Sequence, residues 1–296
     1  MRSQRTVKKE IYFEGIGLHT GEHCKVWLRP APVDHGIVFH RLDRNAMFHV
    51  NVGLVTDTAF ATAIGNERVN IRTVEHLLST LSALCIDNLF IELIGPEIPI
   101  LDGSAIEIST LIMNAGYRKQ RKKMPFIRIL KPVILEEEKA SVAIFPYDGR
   151  RITFRLFFEN HFMGEQIVTI DLTEDTFIHE IAPARTFGFL KNLEYIRSKG
   201  LAKGGSLDNA LVLSETAVIN ETGLRFPDEC VRHKILDIIG DFSLVGFPIK
   251  GHIVADKAGH TINVNFLNKL LTCTKCWEVV ADTVPYAIPV ASYSYI

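Results

Sequence analysis

The chain has 296 residues, 47% of them apolar and 23% charged, with a formal net charge of -1. That length suits one large domain or two of ordinary size, with enough apolar side chain for a real core. A near-neutral charge creates no long-range field toward DNA or RNA, so no nucleic-acid partner is expected, although a local basic patch could still meet a phosphate.

The opening segment, MRSQRTVKKEIYFEG, is basic but lacks the apolar stretch of a secretory signal. No run approaches the roughly 18 consecutive apolar residues of a membrane span. A cytoplasmic location is expected, with transient contact at the inner membrane left open. Strand-like runs follow at Cys24 to Leu28 and Ile37 to His40. Thr73 then stands where a helix cap belongs, and Val74, Leu77, Leu78, Leu81 and Leu84 mark the buried face of that helix. Asn88 to Leu93 reads as a strand, Leu101 to Ser104 as a turn, and a second helix runs to about Asn114. Gly116 closes it.

The segment Tyr117 to Lys123 (YRKQRKK) is the sharpest change in composition. It reads as a connection between an N-terminal domain, 1–124, and a C-terminal domain, 125–296. In the second part, Phe126 to Leu135, Ala140 to Phe145, Ile152 to Phe158 and Ile167 to Leu172 read as strands. A helix starts near Thr173 with Glu174 and Asp175 in its first turn. Pro227-Asp228 opens a long helix to about Leu244, with Gly246 beyond its end. Gly251 to Asp256 is a strand, and Thr261 to Leu271 is helical. Strands followed by helices in each half predict an α+β fold, with helices packed on mainly antiparallel sheets. Neither G-x-G-x-x-G nor G-x-x-x-x-G-K-[ST] occurs, which argues against a Rossmann fold and a P-loop. Five sparse cysteines do not make a disulfide scaffold, and free thiols are expected at Cys273 and Cys276 despite their C-x-x-C spacing.

The strongest chemistry lies in C-V-R-H-K-I-L-D-I-I-G-D. His233 and Asp237 are four apart, so on a helix they stand one turn above the other. Both side chains suit zinc, but the spacing alone arises often by chance, and an exposed pair or a buried hydrogen bond explains it equally. Val231, Ile235, Ile238 and Phe242 form one buried stripe; His233, Asp237 and Asp241 lie along a different strip of the helix, with Lys234 at its rim. A catalytic zinc needs a third protein ligand. Of the remaining histidines, His76 has the best setting, on a helix beside Glu75. Adjacent helical residues diverge by about 100 degrees, so both must face a concave site to work together. His260, after Gly259, suits a mobile proton donor; without further context a solvated loop histidine is the better reading.

These segments belong to a recognisable set. Gly15-Ile-Gly-Leu-His19-Thr-Gly21, Thr73-Val-Glu-His76-Leu, Pro96-Glu-Ile-Pro-Ile-Leu-Asp102-Gly-Ser104, Ala184-Arg-Thr-Phe-Gly188, Gly204-Gly-Ser206, Leu224-Arg-Phe226 and Val231-Arg-His-Lys-Ile-Leu-Asp237-Ile-Ile-Gly-Asp241 run in order. From about residue 5 to 290 the chain closely resembles the UDP-3-O-acyl-N-acetylglucosamine deacetylases of lipid A biosynthesis. The resemblance implies two α+β domains of similar topology with the active site between them. It implies His76, His233 and Asp237 as zinc ligands, with Fe2+ as an alternative metal. It implies Glu75 as general base and His260, oriented by Asp241, as general acid or electrostatic partner. Thr186 matches the hydroxyl near the scissile carbonyl oxygen. Lys234 and Phe187 match substrate contacts, and His19 matches a histidine close to the metal. Phe60, at the end of a first insert near 42–60, and Asn192 and Gly205, within a second insert near 190–210, are further candidates for the substrate side. The second insert matches one that lines a hydrophobic passage for the acyl chain.

The expected reaction is hydrolysis of the N-acetyl amide of an acylated UDP-amino sugar, giving acetate and a free amine, in a monomer. Asn192, His161-Phe162 and Ala61 depart from the family's usual residues; none of the three is an expected ligand or the base. Two rivals remain. Dehydration of an acyl-thioester needs a hot-dog domain, for which no length is spare. A sugar-nucleotide or lipid binder without chemistry does not need the intact set Glu75, His76, His233 and Asp237.

Overall fold

A computed structural model of the chain describes residues 1–159 and 161–282. The tail of the expected second domain, 283–296, and the end of the resemblance lie outside the described residues. No helix among the described residues is long and apolar enough to cross a membrane.

The fold is α+β. The first sheet has the order Ile11–Ile16, His23–Pro30, Leu89–Ile94, Ile37–Arg41, Ala46–His49. Its neighbours run antiparallel except Ile37–Arg41 against Leu89–Ile94. In His23–Pro30 alternate residues Cys24, Val26 and Leu28 point inward, as a strand of period two requires. Two helices follow in this part, α1 (Glu75–Ala83) and α2 (Ile106–Ala115). The second sheet is built on Ile249–Asp256, which pairs with Ala140–Phe145, Arg150–Phe157 and Phe126–Ile129. Helices α3 (Glu174–Thr176), α4 (Leu193–Ser198), α5 (Glu229–Ser243) and α6 (His260–Thr272) belong to this part of the chain. A continuous apolar cluster joins Leu77 and Leu81 of α1, Ile235 and Ile238 of α5, and Phe266 of α6 to residues of both sheets.

Four local expectations are corrected. Tyr117–Lys123 is a strand, antiparallel to Ser3–Val7. Its basic side chains read as a linker by composition, but a ladder needs only backbone groups, and lysine-rich strands suit sheet edges. Phe126 to Leu135 is two strands, Phe126–Ile129 and Val133–Glu137. Between them Pro132 has no N–H to give a ladder, and the N–H groups of Leu130 and Lys131 both turn to the Cys276 carbonyl. Thr73 is not a helix cap: its φ is 58°, and its hydroxyl donates to Glu97 Oε1 at 2.6 Å. Cys273 and Cys276 are joined by a disulfide rather than free. The turn that ends α6 brings their Cα atoms to 5.5 Å, inside the span a disulfide bridges.

Candidate metal centre

The site forms where α1 meets α5. Gly240 makes the meeting close, since a Cβ there would lie 2.2 Å from the Glu75 carbonyl oxygen. The first turn of α1 is therefore covered by α5, and consecutive residues Glu75 and His76 are both buried. That closes the geometric gap left by their 100-degree divergence.

His76 Nε2 lies 4.0 Å from Asp237 Oδ1, and His233 Nε2 lies 3.4 Å from the same oxygen. The two imidazoles meet edge to face with centroids 5.0 Å apart. One donor atom from each of the three residues falls within 4.8 Å of the others. Tetrahedral zinc with bonds near 2.0–2.2 Å would hold its donors about 3.3–3.6 Å apart, so the His233–Asp237 pair already fits and the wider pairs would draw in. The Nδ1 of His233 is engaged by the Ala184 carbonyl at 3.0 Å, which leaves Nε2 to face the site. The donor set fits a metal ion on chemistry and on spacing.

A second group lies on the other side of Asp237. His260 Nε2 is 3.8 Å from Glu75 Oε1 and 3.9 Å from Asp237 Oδ2. His260 Nδ1 bonds Asp241 Oδ2 at 2.9 Å. His260 is not a solvated loop residue; it is the first residue of α6 and is buried. Lys234 Nζ donates to Asp237 Oδ2 at 2.8 Å.

Burial and charge set the protonation states. Burial, helped by Asp237 and Asp241 and opposed by His260, raises the Glu75 carboxyl to about 8. Burial and the neighbouring His233 and His260 depress His76 to about 3, so its ring is neutral and free to act as a ligand. Burial also opposes charge on His260, but Asp241, Asp237 and Glu75 outweigh it and raise the imidazole to about 9. Asp237 is desolvated too, yet Lys234 and the histidines hold it well below the usual carboxylate range.

The remaining expected residues fall at different distances from this centre. The Phe187 ring lies 6.4 Å from His233, with Lys234 Nζ 5.6 Å above it. Thr186 is fixed by backbone bonds to Gly103 and Leu211. His19 is buried, its backbone held by Glu97, and among the described residues neither ring nitrogen has a hydrogen-bond partner. Phe60 is half exposed at φ 62°, in a loop tied to the residue after His260 by Thr58 Oγ1 and Thr261 Oγ1 at 2.8 Å. Asn192 is exposed at the start of α4, and Gly205 packs toward Leu18; neither bonds to the buried cluster. A cavity of about 310 Å³ between Leu78, Leu81, Leu244 and Val245 is lined by none of these residues.

Two residues of the site were missed by sequence reasoning. Thr62 gives its backbone N–H to Glu75 Oε2 at 3.1 Å and its hydroxyl to Asp241 Oδ1 at 2.6 Å. Asn263 Nδ2 donates to Asp241 Oδ2 at 2.8 Å. Neither carries a local signal; Asn263 sits one turn beyond His260, and only that spacing could have raised it.

The family model for UDP-3-O-acyl N-acetylglycosamine deacetylase (LpxC) matches residues 4–272. A UDP-3-O-acyl-N-acetylglucosamine deacetylase of Thermodesulfovibrio yellowstonii is 49% identical over 97% of this chain and 97% of its own. That of Syntrophotalea carbinolica is 47% identical over 94% of this chain and 90% of its own. That of Coxiella burnetii is 44% identical over 98% and 97%. Fold and matches define the class: an enzyme that hydrolyses an amide, a deacetylase. The chain belongs to the UDP-3-O-acyl N-acetylglycosamine deacetylase family.

Proposed function

We propose that this enzyme removes the N-acetyl group of UDP-3-O-acyl-N-acetylglucosamine in lipid A biosynthesis, using zinc held by His76, His233 and Asp237. The chain is read as two units meeting near residue 124, with the site between them. The observation that carries the reading is the convergence of two imidazole nitrogens and a carboxylate, with Glu75 and His260 on the far side of Asp237. Zinc bound there would polarise the acetyl carbonyl and acidify water. Glu75 takes the proton from the attacking water. The Thr186 hydroxyl donates to the oxyanion. His260, kept cationic by Asp241, stabilises developing negative charge or protonates the leaving amine. Lys234, Phe187, His19, Phe60, Asn192 and Gly205 lie on the substrate side. Ferrous iron suits the same donors.

The test is product analysis with the acylated nucleotide sugar, with and without a chelator. Acetate release that stops on chelation and returns with zinc supports the reading; turnover indifferent to chelation and to metal content sinks it. Alanine at His76, His233 or Asp237 is expected to remove most of the metal, because each variant leaves two of three donors. Metal content of the purified variants checks this, and full occupancy in any one removes that residue from the set.

Acyl recognition is expected to run outward from Phe187. Phe158 meets Phe187 and Phe189 edge to face with centroids 6.0 and 5.7 Å apart, and His161 lies 5.4 Å from Phe189. Each methylene buried along this side and the 190–210 insert should improve binding by up to about 0.8 kcal/mol, until the apolar surface ends. Inhibition or KM across a chain-length series, on the intact and insert-shortened enzyme, checks it. Identical profiles would place the acyl site elsewhere.

A further inference from the structure

Two buried charges that the proposed chemistry does not use stand at the start of α5. Glu229, its first residue, is 0% exposed and Arg185 is 5% exposed. Glu229 Oε1 accepts the Arg185 backbone N–H at 3.0 Å and its Nε at 2.8 Å. Oε2 accepts Arg185 Nη2 at 3.2 Å and the Arg225 backbone N–H at 2.6 Å. Arg185 also reaches Thr222 Oγ1 at 3.2 Å and the Gly223 carbonyl at 2.7 Å. A buried ion pair of this kind adds little net stability over an apolar replacement of the same volume. Its worth must be sought in what it holds.

Arg185 lies between two residues of the site. The carbonyl of Ala184 is the partner of His233 Nδ1. Thr186 carries the hydroxyl assigned to the oxyanion, and its backbone is pinned to Gly103 and Leu211. Glu229 and His233 are four apart on α5 and so share one face. The helix thus grips the 184–186 segment twice, one turn apart: the Glu229 carboxylate on the Arg185 N–H, and the His233 ring on the Ala184 carbonyl. Asp102 strengthens the frame through Arg225, at 2.8 Å, whose guanidinium also bonds the Pro183 carbonyl at 2.8 Å.

We propose that the Arg185–Glu229 pair is a positioning device for the reaction. It sets the Ala184 carbonyl against His233 Nδ1, which keeps Nε2 unprotonated and aimed at the metal, and it fixes where the Thr186 hydroxyl stands. The inference rests on the reading of His76, His233 and Asp237 as a metal centre.

The experiment compares the parent with Glu229→Gln and with Arg185→Lys, which keeps charge but loses the planar fork. Melting temperature, release of zinc to a chelator, the visible absorption of the Co2+-loaded protein, kcat and KM are measured where circular dichroism shows a native fold. Zinc release should be roughly 10–100-fold faster and kcat lower by a similar factor, as for other residues that orient a ligand. The cobalt band should shift while KM changes by less than about threefold. If a folded variant keeps parental metal release, cobalt band and kcat, and only its melting temperature or KM moves, the pair is a structural staple and the proposal is overturned. A parent that takes up no stoichiometric metal would instead overturn the reading of the centre, and this inference with it.

Discussion

Glutamine at Glu75 is expected to abolish most turnover while leaving the metal in place. The side chain keeps its shape, and Thr62 N–H still has an oxygen to bond. What is lost is a carboxylate that can accept a proton from water, a loss of roughly 10²–10⁴-fold for a proton-transfer group. The metal should remain because the proposed donors are His76, His233 and Asp237. Burial raises the Glu75 carboxyl to about 8, which would leave much of it protonated at neutral pH. A cation among the adjacent donors favours the ionised form, so metal loading should lower that value. The acidic limb of kcat/KM against pH then reports Glu75 in the loaded enzyme. Rates and metal content on the same preparations check this. Parental kcat in a fully loaded glutamine variant would remove Glu75 as the base.

Alanine at His260 should also keep the metal and lose activity by roughly 10²–10⁴-fold, and its effect should be readable in pH. His260 must be cationic to give a proton or stabilise negative charge. Against the cost of burial, Asp241, Asp237 and Glu75 raise it to about 9. The rate should therefore fall as pH rises through that region. Asparagine at Asp241 removes the nearest of those charges, so His260 loses its proton at lower pH and the basic limb moves down. Thr62 and Asn263 still hold a side chain of the same shape at position 241, which separates charge from packing. The measurement is kcat/KM against pH for the parent and both variants, with metal quantified. A basic limb unmoved in both, at full metal, would refute the role given to His260; Glu75, or water acidified by the metal, would then have to account for both limbs.

Elements with a strong period or clear punctuation are legible in the local sequence. Leu77, Leu78 and Leu81 at helical spacing, Pro227-Asp228 before Glu229, and the alternation of Ile249–Asp256 each specify their element locally. The sequence also supplied His233 and Asp237 as a pair, because four residues on a helix fix two side chains one above the other. The helical setting of His76 beside Glu75 marks it as their candidate companion; the resemblance implies the same role for it, and a catalytic one for His260. Only the tertiary structure brought α1 against α5 through Gly240, and so turned two residues 100 degrees apart into one buried wall. It alone joined Thr62 to both Glu75 and Asp241, and Glu229 to Arg185, across separations of 13, 179 and 44 residues. Such contacts leave no mark in local sequence, because they depend on where two elements cross rather than on what either one is. The strand at Tyr117–Lys123 is hidden for the same reason: its composition is that of a solvated connection, and its strand identity comes from a partner more than a hundred residues earlier.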